Sequence, residues 1–251
     1  GDTIYSFTGN ESLEEKASEF AGRSVISIMR TVKMNQRAEV VAIGRILAVY
    51  AARKKAKDKG KYAKTEAASY TNEDLAAIDE VYANEHVRGA EARYWEDVEV
   101  GESLGKMVKG PLTVTELIVF HAGGYGFTPY APSASRLGYK NRNRIPGFYI
   151  KNEQGVPDVA QRVHWDSQWA QAIGSPMAYD YGMLRECWLQ HFLTDWMGDD
   201  AWLARQSDEI RKFNYIGDTQ FITGEVTGKR EEAGRFAVDI ALRSTSQRDQ
   251  V

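Results

Sequence analysis

The sequence predicts an α+β chain in which an antiparallel sheet wraps around a central helix, with that unit present twice. Two short anchors recur in the same order. Gly1-Asp2-Thr3-Ile4-Tyr5-Ser6-Phe7 resembles Gly217-Asp218-Thr219-Gln220-Phe221-Ile222-Thr223, and Met34-Asn35-Gln36-Arg37 resembles Thr245-Ser246-Gln247-Arg248. Between the anchors, Val25–Val32 and Phe236–Arg243 alternate with the β-branched content of strands. Such self-similarity reads as an internal duplication. The central helix is expected around Met183–Trp196, where Leu184, Trp188, Leu189, Phe192 and Trp196 recur at spacings of three and four and form one apolar face.

The first unit, residues 1–50, begins directly at its Gly-Asp-Thr anchor and ends in a long strand pattern, Val40–Tyr50. The second copy begins near Trp95 and stops at Val251, where the equivalent strand should start. The first copy therefore lacks its opening helix and the second its last strand, so the natural polypeptide is expected to continue at both ends. Residues 51–93 read as a charged linker and a helix. The linker carries the basic run Arg53–Lys61, and Thr71-Asn72-Glu73-Asp74 gives the helix a capping box, with Thr71 as cap and Asp74 at its third position.

Residues 94–251 read as the second, catalytic unit. A strand over Val108–Thr115 leads to a helix at Leu117–Ala122 capped by Thr113 or Thr115, and Gly123–Pro157 reads as a long irregular loop of the kind that lines sites. A short helix at Val163–Ala172, closed by Gly174, precedes the central helix. Strands are expected at Ile210–Tyr215, Gln220–Gly228 and Arg235–Arg243.

Composition excludes several classes. With 251 residues, 43% of them hydrophobic, there is ample material for a core, and a net charge of −3 provides no basic field for nucleic acid. Cys187 is the single cysteine, which rules out an intramolecular disulfide and fits a reducing compartment; cytoplasm is the expected location. No apolar run approaches the ~20 residues that span a bilayer, so no membrane partner is expected. The start has neither the basic nor the apolar region of a signal peptide. No His/Cys/carboxylate spacing suggests a metal, and no glycine loop suggests a bound nucleotide.

The chemistry concentrates in His164-Trp165-Asp166 and in Gly182, eighteen residues after the histidine. A histidine opening a helix can take a proton from water, and a nearby glycine N–H can hold a developing oxyanion. Asp166 fits a helix-dipole role in the first turn, and Tyr179, Asp180 and Tyr181 form a polar cluster ahead of Gly182 that is read as a hydrogen-bonded helix start or as a source of an acid. His121 and His191 are read as core or interface histidines, and Cys187 as a packed thiol.

Residues 94–251 resemble the MaoC-like dehydratases, the hot-dog group that includes R-specific enoyl-CoA hydratases. The resemblance rests on Tyr94–Glu102, on Gly110-Pro111-Leu112-Thr113-Val114-Thr115, on His164-x-Asp166 followed by Ala170, on Gly182-Met183, and on Gly217-Asp218-Thr219 with Gly224-Glu225-Val226. Residues 1–50 resemble the closing half of a second, degenerate unit, as in double hot-dog members. The resemblance implies reversible hydration of a trans-2-enoyl-CoA to a 3-hydroxyacyl-CoA, with an aspartate and a histidine holding one water and a glycine N–H polarising the thioester carbonyl.

His164 and Gly182 fall at the family's histidine and glycine. The family's aspartate lies five residues before the histidine, where this chain has Val159; Asp158, one residue earlier, is the candidate. Tyr125, Phe127, Tyr149 and Tyr181 are candidates for acyl binding, and a long or bulky acyl group is implied by the degenerate unit. The basic run is read as a solvated linker or as a contact for coenzyme A phosphates. No cofactor is implied beyond the coenzyme A of the substrate, and a homodimer or larger assembly is expected. Two other functions fit the same residues: a thioesterase on the same fold, and a non-catalytic acyl-CoA-binding or scaffolding subunit.

Overall fold

The computed structural model describes residues 1–18, 22–51, 65–124 and 135–248. Contacts divide the chain into two compact units, Gly1–Thr65 with Ala172–Pro176, and Glu66–Gln171 with Met177–Val251.

The first unit is a three-stranded antiparallel sheet in the order β1 (Tyr5–Ser18), β2 (Gly22–Met34), β3 (Val40–Ala51). Its β-branched strands form as the alternation predicts. Ahead of β1, Thr3 N donates to Gln36 Oε1 (2.9 Å), while Asp2 accepts from Gln36 Nε2 (3.0 Å) and Arg37 Nη1 (3.1 Å).

The second unit contains α1 (Asn72–Ala83), β4 (Ser103–Lys109), α2 (Val114–Gly124), α3 (Arg136–Arg144), β5 (Tyr149–Lys151), β6 (Pro157–Val159), α4 (Ser167–Ala172), α5 (Gly182–Met197), β7 (Gln220–Glu232) and β8 (Arg235–Ser246). Its main sheet has the order β4-β7-β8, and β5 and β6 form a separate hairpin. The clamp of the first unit recurs here. Thr219 N donates to Gln247 Oε1 (2.9 Å), and Asp218 Oδ1 accepts from Gln247 Nε2 (2.7 Å) and Arg248 Nη2 (2.8 Å).

The duplication extends to backbone register. Tyr5 pairs with Met34 as Phe221 pairs with Thr245, and the register shift between Asn10 and Ser12 recurs between Val226 and Gly228. A bulge bends and twists a strand at a fixed place, so its recurrence means that both hairpins were built to one curvature.

α5 carries the core. Leu184, Trp188 and Phe192, each four residues after the last, are buried with Met107, Leu117 and Ile222. Burying each such side chain stabilises the fold by about 2 kcal/mol. The helix ends because Gly198 adopts φ +75°, with its N–H donating to Thr194 O (3.0 Å). Gly110 is required where β4 meets β7: its φ is +116°, and a Cβ there would stand 2.7 Å from Asp218 O.

Several expectations are met and others corrected. Thr71 and Asp74 form the expected reciprocal capping box of α1, and Thr113 Oγ1 caps α2 by accepting from Glu116 N (3.1 Å). The strand expected at Val108–Thr115 lies earlier, at Ser103–Lys109, because Gly110-Pro111 breaks the ladder. Part of the expected 123–157 loop is regular: Ser135 caps α3, and β5 pairs with β6. Ile210–Tyr215 is not a strand, because other elements already occupy its polar groups. Arg185 Nη1 donates to Lys212 O (2.8 Å), Asp180 N donates to Asn214 O (2.9 Å), and only Tyr215 bridges, to Tyr179. Cys187 is exposed rather than packed. The basic run Arg53–Lys61 lies outside the described residues. Among the described residues no helix is long and apolar enough to cross a membrane.

Candidate active site

Ala178–Tyr181, immediately ahead of α5, runs beside Asn214–Ile216. Asp180 N donates to Asn214 O (2.9 Å) and Ile216 N to Ala178 O (3.0 Å), an antiparallel pattern that turns the Tyr179 carbonyl to the other side. That carbonyl lies 2.8 Å from His164 Nδ1. A carbonyl only accepts, so Nδ1 carries the ring proton and Nε2 keeps its lone pair. Burial pushes the His164 pKa down to about 4, against the pull of the Tyr179 and Asp180 backbone groups and with His121 adding to the depression. The ring is neutral at pH 7. His164 does not open a helix, as the sequence suggested: it ends the 3-10 turn Ala160–His164, and Asp166 caps α4 by accepting from Gln168 N (2.9 Å) and Trp169 N (3.3 Å).

Tyr181 links two histidines. Its ring lies 3.9 Å from the His164 ring, centroid to centroid, and its hydroxyl is 3.0 Å from His121 Nδ1. His121, on α2, also meets Trp165 edge-on at 5.0 Å, and burial holds its pKa below the usual histidine value. From sequence, His121 reads as a core or interface histidine. Only tertiary packing of α2 against the 160–182 segment brings it here, and no local signal in the helix announces that.

Gly182 opens α5, and its N–H, at the first helical position, has no intrahelical acceptor. The segment that fixes the His164 tautomer therefore ends in an available donor at the positive end of a sixteen-residue helix. Ile210 Cδ1 stands 3.0 Å from where a Cβ on Gly182 would lie, so the position is closely covered.

The carboxylates divide sharply. Asp158, on β6, is tied up: Oδ2 accepts from Arg162 Nη1 (3.2 Å) and Oδ1 from Val159 N (2.8 Å). Arg162 also holds Glu153 and Asp166, and none of these described contacts joins Asp158 to His164. Asp180 is buried and accepts from Asn214 Nδ2 (3.0 Å), with Arg185 Nε at 2.9 Å. Its Oδ1 meets no donor among the described residues. Burial pushes its pKa up to about 7, in spite of Arg185 and Asn214. The chain continues inward, Gln220 Nε2 donating to Asn214 Oδ1 (2.9 Å) and Ser244 Oγ to Gln220 Oε1 (2.9 Å). Asp180 is thus the carboxyl able to stay protonated near neutrality.

Tyr149 begins β5 opposite Val159, next to the strand pair of Asp158, whereas Tyr125 and Phe127 lie outside the described residues. A cavity of about 800 Å³ lies along α5 from Arg185 to Leu193, walled by the 203–213 segment and by Ile222, Ile240 and Leu242 of the sheet. No group of three or more potential metal ligands occurs among the described residues.

No family model matches the sequence, and no curated protein matches it. Among solved structures, one described as a MaoC-like dehydratase aligns with a TM-score of 0.53 at 16% identity, over 97% of this chain and 70% of its own. A MaoC domain protein dehydratase from Chloroflexus aurantiacus J-10-fl gives 0.46 at 16% identity, over 98% of this chain and 62% of its own. A conserved hypothetical protein from Mycobacterium tuberculosis, described as having a double hotdog fold, gives 0.40 at 15% identity, over 98% and 63%. The chain spans less than two thirds of the latter two. It has the α+β fold shared with the first, which is the fold expected from the sequence.

Proposed function

We propose that the second unit catalyses reversible hydration of a trans-2-enoyl thioester, most simply an enoyl-CoA, to the 3-hydroxyacyl thioester. The observation that carries this reading is the Tyr179–Gly182 segment, which holds His164 as a neutral base at one end and supplies the Gly182 N–H at the other. In the hydration direction, water gives a proton to His164 Nε2 as its oxygen bonds to C3. The C2–C3 π electrons move through the carbonyl carbon onto the thioester oxygen, which the Gly182 N–H stabilises; one such donor is worth about 3–4 kcal/mol in the barrier.

The enolate then takes a proton at C2 and the carbonyl re-forms. Asp158 is the sequence's candidate for that acid. Both carboxylates meet an arginine, Asp158 at 3.2 Å and Asp180 at 2.9 Å, so the burial that raises the Asp180 pKa and its Oδ1, which meets no donor among the described residues, favour Asp180. The proton on His164 returns to the carboxylate through solvent, which resets the site. We assign the acyl group to the cavity beside α5, whose volume of about 800 Å³ has room for a long or bulky chain.

Incubation with enoyl-CoA of graded chain length, following loss of the conjugated thioester absorbance, tests the reading directly. Water addition that disappears in His164→Ala supports it. Thiol release from saturated acyl-CoA in place of hydration establishes the thioesterase, and binding without turnover of either substrate establishes a non-catalytic subunit.

A further inference from the structure

We propose that Arg185 is a positioning residue for the acid step: standing against Asp180 Oδ2, it sets the direction of a buried hydrogen-bond chain and so keeps the acidic proton on Oδ1. The inference rests on Asp180 being the acid of the proposed hydration. Four side chains form the chain, running from Ser244 on β8 through Gln220 on β7 and Asn214 to Asp180 ahead of α5. Asn214, Asp180 and Gln220 are 0%, 2% and 5% exposed, so water does not compete for their polar groups.

Two directions satisfy such a chain. In one, Ser244 Oγ donates to Gln220 Oε1 (2.9 Å), Gln220 Nε2 to Asn214 Oδ1 (2.9 Å), and Asn214 Nδ2 to Asp180 Oδ2 (3.0 Å). In the other, both amides are turned over: a protonated Asp180 Oδ2 donates to Asn214, Asn214 donates to Gln220, and Gln220 donates to the Ser244 hydroxyl, which accepts as readily as it donates. The number of bonds is equal. The second direction pairs the acidic proton, however, whereas the first leaves it on an oxygen with no partner among the described residues, Oδ1. Without a further group the second is favoured, and it locks the proton between Asp180 and Asn214.

Arg185 reverses that preference. A guanidinium has donors only, and its Nε stands 2.9 Å from Oδ2, so a proton on that oxygen would meet a cation where a lone pair is needed. Arg185 is held in place, its Nη1 donating to Lys212 O (2.8 Å). Oδ2 is therefore the carbonyl oxygen of the neutral acid, and the proton on Oδ1 is left uncommitted. When the enolate is quenched, that O–H bond breaks, its electrons stay on the carboxylate, and the proton bonds to C2. Amide N–H groups do not ionise near neutrality, so the chain orients the acid and does not feed it protons. The charges that face Asp180 are Arg185 on α5, which lowers its pKa, and Asp218 ahead of β7, which raises it.

Infrared spectroscopy on the whole chain, without substrate, reads the assignment. With aspartate carboxyl carbons labelled with carbon-13, the difference between spectra at about pH 5 and about pH 9 isolates Asp180, because burial sets its titration apart from that of ordinary aspartates. Its C=O stretch is expected at the low frequency of a carbonyl that accepts hydrogen bonds. The high frequency of an unbonded carbonyl puts the proton on Oδ2 and overturns the proposal. Arg185→Met should move the stretch to the unbonded position, raise the alkaline limb of kcat because a cation is lost, and lower the plateau by about 10-fold or more. An acid that is more readily protonated yet less active is what lost orientation gives and simple destabilisation does not. Arg185→Lys, still a donor-only cation, should return most of the loss. A stretch that stays in place in Arg185→Met overturns the proposal as well, and if that variant fails to fold the wild-type band still decides. If no enoyl-CoA is hydrated, the proposed function fails while the position of the band is read independently.

Discussion

His164 Nδ1 lies 2.8 Å from the carbonyl oxygen of Tyr179, and this contact decides which nitrogen of the ring can act as a base. The carbonyl is aimed by the short antiparallel pairing of Ala178–Asp180 with Asn214–Ile216, so the imidazole is oriented by backbone rather than by a flexible side chain. His164→Ala is expected to lower the hydration rate by on the order of 10²–10⁴, the usual worth of a positioned general base, with the fold intact. Steady-state kinetics alongside thermal melting checks this, and a loss of only a few-fold removes His164 from the mechanism.

The two shifted groups predict the pH profile. His164 must be neutral, and with its pKa near 4 it stays so until the medium is strongly acidic, placing the acidic limb near pH 4 instead of 6.5. Asp180 must be protonated, so the alkaline limb falls near pH 7. Asp180→Asn should abolish or greatly reduce activity while Asp158→Asn leaves most of it; the opposite result returns the acid to Asp158.

The same groups act oppositely on stability. Folded His164 binds its proton less tightly than unfolded, so its neutral form costs stability as pH falls from about 6.5 toward 4. Folded Asp180 binds its proton more tightly than the unfolded carboxyl, so its contribution is complete below pH 3.8 and is lost as pH rises through about 7. Urea midpoints of His164→Gln and Asp180→Asn across pH 4–8 should show the corresponding slopes flattened.

Much of this architecture is legible in the sequence, because it follows from local rules. The repeated Gly-Asp-Thr and Gln-Arg anchors announce the duplicated clamp, Thr71 and Asp74 announce α1, and the spacing of Leu184, Trp188 and Phe192 announces α5. The site is legible only in part. Spacing singles out His164 and Gly182 as candidates, but the approach of His121 and the contacts of Asp158 depend on packing between distant elements, and Arg162, which claims Asp158, looks like any surface arginine. The 210–215 segment was misread because alternation reports which side chains are buried, not whether a neighbouring strand supplies the hydrogen bonds.

The repeated clamp predicts unequal costs for one substitution made twice. Asp218 is 1% exposed and holds Tyr215 N, Gln247 and Arg248, so Asp218→Ala strands several donors and should cost about 3 kcal/mol. Asp2 holds Gln36 and Arg37 in the same way but at the surface, where water replaces it. Asp2→Ala should leave the urea transition unmoved, and a large shift there means that the exposed clamp is covered in solution.

The Gly182 N–H is separable from the shape of the helix start. Proline is tolerated at the first position of a helix because the N–H it lacks has no intrahelical acceptor there, and Tyr181 at φ −85°, ψ 134° already has the extended conformation that precedes a proline. Gly182→Ala and Gly182→Pro both press on Ile210, 3.0 Å from the new carbon, so both share whatever that side chain must yield. Only the proline removes the donor. Gly182→Pro is therefore expected to lower kcat by a further 10²–10³ relative to Gly182→Ala, with similar melting temperatures, as loss of one oxyanion donor does. If the two variants are equally active, the thioester oxygen is held elsewhere. If both are equally dead, the obstruction at Ile210 is responsible, and Ile210→Ala combined with each should then separate them.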